Sequence, residues 1–123
     1  MAAVAAVLVA IVVAIHPYIV VLEMLLWRTP RGLRAFGTTQ AFANESATLA
    51  ANQGLYNGFL VAGLVWGLLA SDPVGFQVKL FFLGCVIVAG VFGAVTVNRR
   101  ILFVQAVPAA LALVAVLAAG SSV

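Results

Sequence analysis

Four long apolar runs, parted by short polar turns, leave this chain few ways to fold. Each run comes close to the ~20 residues that a helix needs to cross a hydrocarbon layer of about 30 Å. The chain has 123 residues, of which 66% are hydrophobic and 7% are charged. Soluble domains carry about 25% charged residues, and a water-soluble fold of this size could not hide so much apolar surface. The expected fold class is therefore an all-α membrane protein, a four-transmembrane-helix bundle with antiparallel neighbours in a single domain. The expected spans are 3–27, 48–70, 75–97 and 101–119, with a short interfacial helical run before the second. Nothing is left over for a soluble catalytic domain, so any chemistry must use groups in the spans or turns. No Lys or Arg precedes the first apolar run, which is also long for a signal peptide, so this segment is expected to be retained. Cys85 is the sole cysteine, which excludes an intramolecular disulfide and a thiolate cluster within one chain.

Polar residues inside the runs are costly in a membrane and need a reason. In the first run these are His16, Tyr18 and Glu23. His16 and Glu23 are seven apart, so at about 100° per residue they share a face, with Trp27 on it and Tyr18 pointing away. Helical rise separates them by about 10 Å, so each needs a partner on another helix, a water or a ligand. Pro17 frees the carbonyl of Val13, and a mild kink is expected there. Pro30 and Gly32 mark a turn among Arg28, Arg31 and Arg34, and Thr39 is the expected N-cap of the helix that follows. That helix enters the membrane through Ala51-Asn52-Gln53-Gly54-Leu55-Tyr56-Asn57-Gly58-Phe59. Asn52, Gln53, Tyr56 and Asn57 fall within an arc of about 140°. Gly54, Gly58 and Ala62 form a small-residue ridge expected to serve a different neighbour. Further on, Lys79 can snorkel to an interface. Asn98-Arg99-Arg100 makes a tight turn, and Pro108 is expected to distort the last helix near Gln105.

Five of the six basic residues sit in the first and third turns. The positive-inside rule then places these turns in the cytoplasm and both termini outside. The net charge of +3 is read as orientation and not as nucleic-acid binding. In that orientation Glu23, Asn52, Gln53, Tyr56, Asn57, Thr96 and Gln105 lie in the cytoplasmic half, and His16 is deepest. All eight are expected to face one pocket open to the cytoplasm and to contact a ligand, with Glu23 and His16 as the acid/base candidates. Plainer roles stand beside this one. Asn and Gln cement helices at roughly 0.6 kcal/mol per bond. His16 can bond a backbone carbonyl. Glu23 can be solvated at the interface, protonated, or paired with Arg28, Arg31 or a ligand. With one His and three acidic residues, no metal or haem site is expected, and no cofactor.

The pattern His16-x-Tyr18, Glu23-Met24-x-x-Trp27, Pro30-Arg31-Gly32, Phe36-Gly37 and above all Asn52-Gln53-Gly54-Leu55-Tyr56-Asn57-Gly58 resembles a family of small bacterial four-helix membrane proteins, domain of unknown function 1304. The likeness covers nearly the whole chain. It implies fold and membrane location and brings no catalytic role. The leading functional expectation is a pocket for a lipid-like or quinone-like molecule with a polar head. A proton-coupled small-molecule exporter working as a homodimer is an alternative, although the strong Arg bias and the shallow carboxylate speak against it. A structural accessory subunit is another. The partners expected are the lipid bilayer, a small amphipathic ligand and a second copy of the chain. The residues name no reaction.

Overall fold

The computed structural model describes residues 1–121, and every regular element among them is helical. These are α1 (Ala2–Met24), α2 (Pro30–Phe36), α3 (Gln40–Leu69), α4 (Val74–Thr96), a π-helical turn (Leu102–Ala106) and α5 (Val107–Ala119). The stretches Ala2–Met24, Val74–Thr96 and Leu102–Ala119 are long and apolar enough to cross a membrane. Large apolar side chains on these helices face outward, among them Val88, Phe92, Val95 and Phe103. In water so much exposed apolar surface would drive association; here it marks a multi-pass membrane protein. The expected second span, 48–70, does not meet the same standard, because Asn52, Gln53 and Asn57 dilute the apolar half of α3.

α1 runs through Pro17 as one helix and stops at Met24, short of Trp27. Pro30 and Gly32 open a short helix where a simple turn was expected. Pro30 occupies its first turn, where a missing N–H costs nothing, and Thr29 caps it by accepting from the Gly32 N–H. Gly37 ends α2 with φ 65°, a left-handed conformation that glycine takes without strain. Gly32 answers to space: a Cβ there would lie 2.1 Å from the Leu26 carbonyl oxygen. Thr39 then caps α3, its hydroxyl accepting from the Phe42 N–H at 3.2 Å. The expected interfacial run is the first part of α3 itself, with no break before the apolar part. It is tied to the preceding turn, since Trp27 Nε1 donates to Ser46 Oγ at 3.0 Å and Gln40 Nε2 to the Arg28 carbonyl at 3.1 Å.

α3 and α4 are joined through a cis Asp72–Pro73 peptide, and Asp72 accepts from the Phe76 N–H at 3.0 Å. Near this join the stem of Lys79 lies over Gly67, and a Cβ on Gly67 would meet its Cγ at 2.7 Å. Pro108 cannot donate to the carbonyl of Val104. The preceding residues take π-helical pairing, which is the form the expected distortion assumes.

α1 packs on α3 and α5, and α4 packs on α3, on the π-helical turn and on α5. The apolar core joins Val9 and Val12 of α1, Leu64 of α3, Leu83 and Val86 of α4, and the Ala109–Val116 face of α5. Along α1 this core comes first, and His16 and Glu23 follow it toward the arginine-bearing turns. The apolar packing and the buried polar groups therefore occupy different parts of the molecule.

Candidate functional site

Among the described residues four polar side chains are buried: His16 is 0% exposed, Glu23 2%, Asn57 7% and Gln105 8%. They form two pairs, each reaching from α1 to another element. Asn57 Nδ2 on α3 donates to Glu23 Oε1. His16 Nε2 meets Gln105 Nε2 of the π-helical turn at 3.2 Å, and His16 Nδ1 meets the Val12 carbonyl at 2.8 Å. A carbonyl only accepts, so Nδ1 carries the proton. Nε2 of the neutral ring is then the acceptor for the Gln105 amide. The seven-residue spacing that puts His16 and Glu23 on one face thus gives each a partner on a different neighbour. Glu23 is buried and not exposed at an interface, and its partner is Asn57, which was not among the partners expected for it.

Close approach makes the Glu23–Asn57 pair possible. A Cβ on Gly54 would stand 2.5 Å from Met24 Cγ and 3.2 Å from Glu23 Cβ. Gly54 and Asn57 are three apart and share a face, and that face meets α1. The expectation that the small ridge and the polar side serve different neighbours is therefore corrected. Gly58 packs on nothing within 4 Å.

Beside these pairs lies a cavity of about 180 Å³. α1 contributes Ile15, Tyr18, Ile19, Leu22 and Glu23 to its wall. Gln53 and Asn57 come from α3, and Val104 and Gln105 from the π-helical turn. Phe36 of α2 and Asn98 and Arg100 of the turn after α4 also line it. Those two pieces are tied together. Arg100 Nη1 donates to the Arg34 carbonyl at 2.9 Å, and Asn98 Nδ2 donates to the Phe36 carbonyl at 3.4 Å. Both acceptors are end carbonyls of α2, which lack partners within the helix. A second, wider recess of about 430 Å³ lies between α3 and α4, and Gln53, Asn57, Ile101 and Gln105 border both.

The eight expected ligand contacts do not share one pocket. Glu23, Gln53, Asn57 and Gln105 line the first cavity. Tyr56 and Thr96 line only the second recess, with Tyr56 exposed and Thr96 bonded to the Phe92 carbonyl at 2.7 Å. Asn52 is exposed and borders neither, because the 140° arc is wider than the face α3 turns inward. His16 is fully buried, bonded to Gln105, and lines neither. Tyr18, expected to point away, is half exposed and borders the first cavity. Asn98 and Arg100 were not among the expected contacts. The signal for them was present, since the charge rule already places the first and third turns at one end.

Glu23 and His16, the acid/base candidates, are both engaged in hydrogen bonds. No group of three or more His, Cys, Asp or Glu side chains that could hold a metal ion occurs among the described residues. The arrangement can hold the polar end of a small molecule; it presents no nucleophile beside a base.

Residues 10–117 match the model of a family described as protein of unknown function (DUF1304). The chain is 31% identical over 99 residues to the uncharacterized protein YpaA of Lactococcus lactis subsp. lactis (strain IL1403), a match covering 79% of this chain and 82% of that one. No solved structure matches the chain. The extent of the family match and the identity to this relative together place the chain in the DUF1304 family.

Proposed function

We propose that the chain is a four-span bundle with antiparallel neighbours in a bacterial cytoplasmic membrane, both termini outside, and that its smaller cavity holds the polar head of a lipid-like or quinone-like molecule. α3 serves as the remaining span. Its 30 residues reach about 45 Å at helical rise, against a hydrocarbon thickness of about 30 Å. Its polar start at 40–48 then lies beyond the membrane, and the Asn-Gln motif lies just inside.

The observation that carries the ligand reading is the composition of the cavity wall. It is mostly aliphatic and aromatic, with Glu23, Gln53, Asn57 and Gln105 converging on one space. Ligand sites are built in this way, with an apolar lining and a few polar groups that fix orientation. The volume suits a head and not a whole lipid, since an apolar cavity of about 150 Å³ accommodates a benzene ring. The tail would lie along the bilayer.

The test is mass spectrometry of small molecules that accompany the purified protein, followed by thermal stabilisation with whatever is found. Stabilisation should vanish in Asn57→Ala and persist in Gly58→Ala, which alters a residue away from the cavity. A second reading rests on the pairing itself. Because Glu23, Asn57, His16 and Gln105 already satisfy one another, they could serve only to lock α1 in place within an accessory subunit. Absence of any accompanying molecule, with Asn57→Ala changing stability alone, would establish that role instead. Proton-coupled export by a homodimer would need Glu23 to release Asn57 in each cycle, and transport abolished by Glu23→Gln would favour it.

A further inference from the structure

Arg100 stands apart from the other arginines of this end. Arg100 borders the smaller cavity, and its guanidinium is oriented by the Arg34 carbonyl, which takes one N–H from Nη1. A guanidinium has five N–H donors, so four are left. No carboxylate pairs with it among the described residues. Beside it, Asn98 accepts from the Arg100 backbone N–H at 2.9 Å, which fixes the backbone that carries the side chain. Gln53 borders the same space from α3.

The charged groups facing this cavity are two, Arg100 and Glu23. Glu23 is 2% exposed and engaged by Asn57, whereas Arg100 is exposed. The cavity is thus positive at its exposed rim. Four further arginines, Arg28, Arg31, Arg34 and Arg99, belong to the same two turns. They add a field of the same sign over this end. A planar guanidinium with free donors is matched by an oxyanion, which accepts two of its N–H groups at once.

From this we infer that the molecule held in the smaller cavity is an anionic amphiphile, a carboxylate or phosphate head on an apolar chain, with the head on Arg100 and the chain running along Ile15, Ile19 and Val104. This rests on the ligand reading above and narrows it, since a neutral quinone ring would gain little from an unpaired guanidinium. Arg100 is the residue that selects the head, and Gln53 supplies a second donor.

The test uses the full chain in a neutral detergent, with dodecyl phosphate, dodecanoate, dodecanol and inorganic phosphate as probes and binding read by thermal shift and calorimetry. Dodecyl phosphate and dodecanoate are expected to bind, dodecanol at least about tenfold more weakly, given the strength of hydrogen bonds to charged groups. Inorganic phosphate alone should bind poorly, which separates an amphiphile site from a free-phosphate site. Arg100→Gln should weaken dodecyl phosphate by about tenfold or more, while Arg99→Gln, the same charge change one residue away and off the cavity, should leave it within about twofold. Added salt should weaken the anions and not the alcohol. Equal binding of dodecanol and dodecyl phosphate, unmoved by Arg100→Gln, would overturn the anionic head while leaving the ligand site standing. Equal weakening by Arg99→Gln and Arg100→Gln would reduce the effect to net charge and also overturn it. If none of the four probes binds and no molecule accompanies the purified protein, the ligand reading falls, and this inference with it.

Discussion

At the scale of single residues, the Glu23–Asn57 bond decides more than any other contact. A carboxyl that is 2% exposed needs its partner, because an unsatisfied buried acceptor costs about 1–3 kcal/mol. That exceeds the roughly 0.6 kcal/mol of an average interhelical hydrogen bond in a membrane. Asn57→Ala should therefore cost about 1–3 kcal/mol of unfolding free energy, read by reversible denaturation in mixed micelles. Glu23→Gln keeps an oxygen for Asn57 to donate to, so it should cost much less, about 0.6 kcal/mol or under. A loss in Glu23→Gln as large as in Asn57→Ala would show that the charge, and not the bond, is what the site needs. The face shared by His16 and Glu23 was legible from their spacing, because helical period is a local property. Their partners were not. Which residue of α3 or of the π-helical turn meets α1 depends on the register between helices, and one sequence does not state it. The place of Tyr18 on the cavity wall has a similar cause. Its direction from the helix axis was readable, but not that the cavity wraps far enough around α1 to meet it.

Between elements, the glycines separate into those that touch a neighbour and those that do not. At Gly90 a Cβ would lie 2.7 Å from the backbone nitrogen of Ala106, so α4 and the π-helical turn approach through main-chain contact. Backbone cannot step aside as a flexible side chain can, and overpacking of this kind costs about 1–3 kcal/mol. Gly58 has nothing within 4 Å, and alanine is the better helix former by up to about 1 kcal/mol. Gly90→Ala should accordingly lower the midpoint of thermal unfolding, and Gly58→Ala should leave it unchanged or raise it. Because the π-helical turn also carries Gln105, Gly90→Ala should in addition loosen the His16–Gln105 bond, visible as a shift of the His16 ring resonances. An unperturbed His16 in a destabilised Gly90→Ala would mean that the turn moves without its side chain. Small residues alone do not announce which of them are contacts. Gly54, Gly58 and Ala62 read as one ridge, yet Gly54 is pressed on α1 while Gly58 is open. The distortion before Pro108 was legible as a fault in the helix, since the missing donor is a property of proline itself. That it would take π-helical form and face Gln105 toward His16 depends on the packing of α4 and α1 around it.

For the molecule as a whole, charge and burial agree on one direction. The apolar core gathers around Val9, Leu64, Leu83 and Ala112, while the buried pairs and the cavity lie toward the first and third turns. Those turns hold five of the six basic residues, and they are fastened to each other by Arg100 on the Arg34 carbonyl and Asn98 on the Phe36 carbonyl. If they share the cytoplasmic face, the connection between α3 and α4 must lie on the opposite face, and α3 must cross despite its polar middle. Single cysteines test this in a Cys85→Ala background. Arg31 and Ser71 are both exposed, one in α2 and one just beyond α3. In intact bacterial cells a membrane-impermeant maleimide should label Ser71→Cys at once and Arg31→Cys only after the membrane is opened. Reversed labelling would invert the orientation and turn the cavity toward the outside. Labelling of both from one side would mean that α3 does not cross, which would leave Asn52, Gln53 and Tyr56 in an interfacial helix and remove the membrane cost that makes their placement informative.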